Sequence, residues 1–108
     1  MTDEDAQRAI DFIRDSAPKY AEAKANRTYI EQYLRSKKSL LMAEEAGTLG
    51  AKEMYAYAHP QYVELLLGLQ VAVQEEERIK WLLEAAKLRF EHYKTISFNN
   101  RVEARAVN

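Results

Sequence analysis

The chain has 108 residues, 47% hydrophobic and 31% charged, with a formal net charge of −1, three glycines, two prolines and no cysteine. That allows one small domain over 1–108, with the composition of a helical, coiled-coil-like chain and too much apolar residue for disorder. Lack of cysteine excludes disulfides, thiolate catalysis and cysteine-ligated zinc or iron–sulfur centres.

The acidic, amphipathic start, residues 1–15, does not read as a signal peptide, and no apolar run approaches the ~18 residues of a membrane span. Thr2 caps a first helix, with Asp5 three residues on in the capping-box position and Asp3 and Glu4 suited to the helix dipole. Ala6, Ala9, Ile10, Ile13 and Ala17 mark its apolar face over residues 3–15. Ser16-Ala17-Pro18 predicts a break, because proline fits the first turn of a helix and not its interior. A second helix is expected over 18–46, with Tyr29, Ile30, Tyr33, Leu34, Leu40 and Leu41 on one face. Gly47-Thr48-Leu49-Gly50 reads as a turn, with Gly47 at C′. A short helix over 51–58 ends at His59-Pro60.

The long element follows. From Pro60 to Ala104 the apolar residues step by four and three through Leu65, Leu69, Ala72, Glu76, Ile79, Leu83, Ala86, Phe90, Tyr93, Ser97 and Asn100. Eight of those eleven are apolar or aromatic, a helical stripe that no strand keeps. At ~1.5 Å per residue such a helix runs roughly 65–70 Å and must lie against another helix. The expected fold is therefore all-α: an elongated antiparallel helical hairpin, coiled-coil-like, with a short N-terminal helix and self-association. Two solutions cover the far part of the long helix, and both stay open. Either the N-terminal helix lies on it, or a second copy does, in a dimer.

Charge is distributed in blocks: −3 over 1–16, +4 over 17–43, −6 over 44–77 and +4 over 78–108. Folded at the turn, Glu44, Glu45, Glu53 and Glu64 gather at one end and the bases at the other. Lys87, Arg89, Lys94, Arg101 and Arg105, near Tyr20, Phe90, Tyr93 and Phe98, are the candidate nucleic-acid contacts, since phosphates need cations and bases stack on rings. The alternative is that the acidic first helix neutralises them, or that they are solvated faces. No nucleic-acid recognition motif accompanies them.

Catalytic constellations are lacking. Glu75-Glu76-Glu77 has no Glu-x-x-His companion to make a metal site. Glu76, inside the stripe, needs a cation, for which Arg35, Lys37 or Lys38 is expected. His59, before a proline at a helix start, reads as a cap, and His92 has no acid or serine spaced to use it. Neither an enzyme nor a cofactor is expected. Tyr55, Tyr57 and Tyr62 read as packing around the kink or as a protein-contact tip, and Trp81 as core, self-association surface or partner hot spot.

Some segments carry a resemblance. They are Tyr55-Ala56-Tyr57-Ala58-His59-Pro60-Gln61-Tyr62, Leu65-Leu66 through Glu75-Glu76-Glu77-Arg78 to Trp81, Phe90-Glu91, Asn99-Asn100-Arg101, and Tyr29 to Met42 with its Ser36-Lys37-Lys38-Ser39-Leu40-Leu41-Met42. Together they cover more than half of the chain and resemble small uncharacterised helical proteins of temperate tailed phages and prophages. Tyr93 departs from that pattern, where a tryptophan is expected. The resemblance implies a bacterial host cytoplasm and a gene neighbourhood of recombination and single-strand handling. It implies a non-catalytic accessory of phage DNA recombination or replication, whose partner is an unknown phage or host protein. An inhibitor of a host nuclease or defence complex, and a structural coiled-coil adaptor, are the alternatives.

Overall fold

The computed structural model describes residues 2–107, so the outermost residue at each end of the expected 1–108 domain lies outside the described residues. Three α-helices account for nearly all of them: α1 (Asp3–Glu44), α2 (Leu49–Ala58) and α3 (Pro60–Val107). The chain divides into two compact units. The first combines the chain up to Tyr20 with the chain from Arg78 onward, and the second is Ala21–Glu77.

In both long helices, burial follows the step of three and four. Along α3 the buried or half-buried positions include Tyr62, Leu65, Leu69, Ala72, Glu76, Ile79, Leu83, Ala86, Phe90, Tyr93 and Ser97. The expected stripe is therefore the buried one, save that Asn100 is exposed. Along α1 the same rhythm runs through Ala6, Ala9, Ile13, Ser16, Tyr20, Ala23, Arg27, Ile30, Leu34, Lys37 and Leu41. A repeat averaging 3.5 residues keeps one seam turned toward a partner helix. Within each unit the two helices run antiparallel along that seam. In the first, Tyr93 of α3 donates a hydrogen bond to Asp3 of α1. In the second, Arg27 of α1 is bonded to Glu76 of α3.

The expected break at Ser16-Ala17-Pro18 does not occur. α1 is one helix with Pro18 in its interior, so there is no separate N-terminal helix. An interior proline removes one N–H and crowds the preceding turn, at a cost of ~3 kcal/mol. Ile13, Ser16, Tyr20 and Ala23 nevertheless stay in the buried register on both sides of it. Packing of the seam outweighs the local preference there. Of the two ways to cover the far part of α3, the first holds in part: the start of α1 packs with it inside one unit, with burial reaching Ser97, and residues 98–106 are exposed.

The helix boundaries have local causes. Thr2 and Asp5 form the expected capping box: Thr2 N–H donates to Asp5 Oδ2 at 3.0 Å, and Asp5 N–H to Thr2 Oγ1 at 3.2 Å. The hydrogen bond from the Thr2 backbone holds the Asp5 carboxyl below the usual carboxylate range. α1 stops at Glu44, two residues before the expected Ala46, and Gly47 follows with φ +117°, a region that L side chains rarely adopt. α2 starts earlier than expected, at Leu49, because Thr48 is its N-cap: Thr48 Oγ1 accepts from Ala51 N–H at 3.2 Å. It ends at His59, whose backbone is extended (ψ 133°) ahead of Pro60. His59 also caps the next helix, its Nδ1 accepting from Gln61 N–H at 3.1 Å.

Candidate protein-contact and nucleic-acid surfaces

In the second unit the seam holds an ion pair. Glu76 is 7% exposed. Arg27 grips it with two hydrogen bonds, Nε to Oε2 at 2.7 Å and Nη2 to Oε1 at 3.1 Å, and its Nη1 reaches Glu31 at 3.0 Å. That fork is the geometry in which guanidinium and carboxylate bind most strongly. Hydrogen bonding to Glu76 first, and to Glu31 next, raises the Arg27 pKa. The expectation of a cation for Glu76 is right in kind and wrong in residue, since neither Arg35, Lys37 nor Lys38 fills the role. Sixteen residues separate Pro60 from Glu76, so α3 begins about level with residue 43, in the last turn of α1, and Glu76 falls beside Arg27.

The tyrosines around the kink are largely engaged within the second unit. Tyr55 donates to Glu44 Oε2 at 3.0 Å, which raises the pKa of the phenol, and stacks edge-on with His59 at 5.7 Å. Tyr57 and Tyr62 make a T-shaped pair at 5.3 Å, and Lys38 Nζ sits 4.6 Å from the Tyr57 ring. The Lys38 pKa is raised, chiefly by side-chain hydrogen bonding with Tyr57. Tyr57 remains 47% exposed.

A groove of about 470 Å³ opens beside the seam of the second unit, lined by Ile30, Tyr33, Lys37, Glu64, Leu65 and Gly68, with Gln61 at its rim. A methyl added at Gly68 would meet nothing within 4 Å, so the missing side chain is part of the opening. Next to it Tyr29 and Tyr33 stack nearly parallel, 7° apart with centroids at 6.1 Å. Sequence reasoning placed both tyrosines on the buried face. Tyr29 lies one position off the three–four rhythm that holds Arg27 and Ile30, which is the signal that separates a flank from a seam.

In the first unit the candidate nucleic-acid residues do not form one patch. Lys87, Lys94 and Arg101 share a helix face at intervals of seven, together with Lys80, which sequence reasoning missed. Acids one turn earlier answer two of them: Lys87 lies 3.4 Å from Glu84, and Lys94 lies 3.8 Å from Glu91. Lys94 also sits 5.6 Å from the Phe90 ring, and Arg101 Nε donates to Ser97 O at 3.4 Å. Arg105 is exposed in the last turn of α3. Arg89 projects from a different flank, where it lines a cavity of about 370 Å³ with Asp5, Arg8, Ala9 and Phe12. Arg8 is itself tied to Glu4 and Asp5.

Trp81 is no core residue: it is 64% exposed, with Lys80 Nζ at 5.5 Å from its ring. Leu82, Leu88 and Ile96 are exposed on the same helix. Among the described residues no group of His, Asp and Glu is placed to hold a metal ion, and no helix is long and apolar enough to cross a membrane. Fold and surfaces define an all-α helical protein whose distinctive features are exposed apolar and aromatic faces. Comparison with protein-family models, with curated proteins and with solved structures finds no match.

Proposed function

We propose that this chain is a non-catalytic helical interaction protein that works through protein contacts. The observation that supports this most directly is the apolar surface left over once each seam is closed. In the second unit Leu66, Leu67 and Val71 are 47%, 59% and 64% exposed, and the groove at Gly68 and the Tyr29–Tyr33 stack add to that surface. Exposed apolar faces of this kind are characteristic of interaction surfaces.

The biological setting rests on the resemblance to small temperate-phage proteins. It is that of an accessory in phage DNA recombination or replication, in the cytoplasm of the bacterial host. Direct DNA contact through Lys87, Arg89, Lys94, Arg101 and Arg105 is the weaker part of this reading. Lys87 and Lys94 already have acidic neighbours, and Arg89 lies on another flank.

Fluorescence anisotropy with single- and double-stranded DNA at low and near-physiological salt tests the division of labour. Binding should be absent or weaker than ~100 μM near physiological salt. Tight, salt-dependent binding that is lost when Lys87, Arg89, Lys94 and Arg101 are replaced together would overturn the protein-contact reading. In parallel, a photo-crosslinking residue at Leu67 or Tyr33 should capture a defined protein from phage-infected cells, and the same residue at Glu22 should not.

A further inference from the structure

Gly68 weakens α3 locally, and nothing inside the chain requires it. Glycine is the poorest helix former after proline, because fixing its backbone loses the most entropy. Gly68 lies well inside α3 with no positive φ to call for it, since among the glycines only Gly47 has one. Close packing does not call for it either: a Cβ there would meet no atom within 4 Å. What its missing side chain leaves is the hollow of about 470 Å³, walled by the apolar surfaces of Ile30, Leu65 and Tyr33.

The same groove holds a second feature left uncompensated. Two cations stand on the buried rhythm of α1, Arg27 and Lys37. Arg27 has Glu76, whereas Lys37 has no ion-pair partner among the described residues. Lys37 is half-buried against the groove, so its ammonium has less water around it than a fully solvated lysine. Glu64, on the α3 rim of the groove, is exposed and likewise unpaired among the described residues.

We propose that this groove takes a segment of a partner protein that presents a large apolar side chain beside a carboxylate. The inference rests on the protein-contact reading above and names the partner's chemistry. The apolar side chain enters the hollow over Gly68, against Ile30, Leu65 and Tyr33, where a side chain at position 68 would stand in its way. Its carboxylate lies on the α1 side, at Lys37. Glu64 repels that carboxylate from the α3 side, so the two rim charges fix which way round the segment lies. A buried apolar anchor supplies most of the affinity of such a contact, and the charge pair supplies specificity. Helix stability is given up at Gly68 where binding needs room.

Gly68→Ala should raise the Tm by about 4 °C, because the new methyl group displaces nothing inside the chain. A fall in Tm would mean that the glycine serves packing, and would overturn the proposal. A ribosome-displayed library of random peptides, selected on the full chain, should yield binders that place an acidic residue beside a large apolar one. Those binders should lose about tenfold in affinity on Gly68→Leu, which fills the hollow, and about fivefold on Lys37→Gln. Selection on Lys37→Glu should return basic residues in place of the acidic ones, a reversal that a merely structural lysine would not produce. Binders without an acid, binders indifferent to Gly68→Leu, or no binders at all would overturn the proposal. So would a dimer in sedimentation equilibrium that Gly68→Leu dissociates, since the occupant would then be a second copy. Protein capture through Leu67 that persists unchanged in Gly68→Leu would sink this inference and leave the protein-contact reading standing. The DNA titration above tests that reading separately, through residues outside the groove.

Discussion

The two units use one rule with different side chains. Each buries positions that step by three and four along α1 and α3, yet what fills those positions differs. In the first unit Ala6, Ala9, Ser16 and Ala86 are buried with Ile79 and Leu83, and small side chains set the spacing. In the second, Leu41, Ala56 and Ala72 are buried with Glu76, and Glu76 is answered by Arg27. A small-residue seam gains from close approach and tolerates little added volume. A seam that buries an ion pair gains specificity of register, because any slip leaves a buried charge without its partner. The contrast separates tightness from register as two means of holding paired helices.

Substitutions can break or sharpen this contrast. Largest should be Leu41→Ala in the second unit, where the side chain is fully buried: a loss of about 3 kcal/mol, seen as a Tm fall of roughly 15 °C. Next is Glu76→Ala, which takes from Arg27 its two bonds across the seam and leaves it Glu31 alone. Thermal unfolding should drop by about 10 °C, and the double change Arg27→Met with Glu76→Leu should recover most of it. If the double change fares no better than the single one, the pair is not what the seam demands there.

Ala86→Leu tests the first unit, since that alanine has no exposed surface: about 2 kcal/mol should be lost to overpacking. Its hydrogen-exchange protection should fall in α3 beyond Arg78 and hold in 60–77. Uniform loss along the helix would mean that the units do not respond separately. Smallest is the cap. Thr2→Ala should cost about 1 kcal/mol, read by chemical denaturation. Asp5→Asn should destabilise at neutral pH. A carboxyl whose folded pKa is lowered stabilises above its unfolded pKa of ~3.9 and loses that contribution as pH falls through the folded value. The difference between Asp5→Asn and the parent should therefore shrink on acidification below about pH 4.

Legibility from sequence differed by scale. The stripe through Leu65, Ile79, Leu83 and Ala86, the Thr2–Asp5 capping box and the capping role of His59 are local or periodic, and each is present as expected, while Gly47 holds a positive φ but Leu49 and Gly50 of the expected turn belong to α2. Pro18 misled because its cost is local while the packing that keeps α1 helical through it comes from the partner helix. Arg27 was missed because its pairing depends on where α3 begins along α1. The basic residues of α3 looked like one patch by composition, and the heptad divides them, with Arg89 on one flank and Lys87, Lys94 and Arg101 on another.

The sequence by itself determined the class of fold, because a three–four apolar rhythm sustained from Leu65 to Tyr93 has only one backbone that can bury it. It also determined that Glu76 would need a cation, since a carboxylate in an apolar stripe cannot stay alone. Only the tertiary structure decided which cation, which faces of α3 stay exposed, and that Pro18 lies within a continuous helix. Those outcomes turn on register between segments far apart in the chain, and register is set by the packing of the whole seam rather than by any one residue.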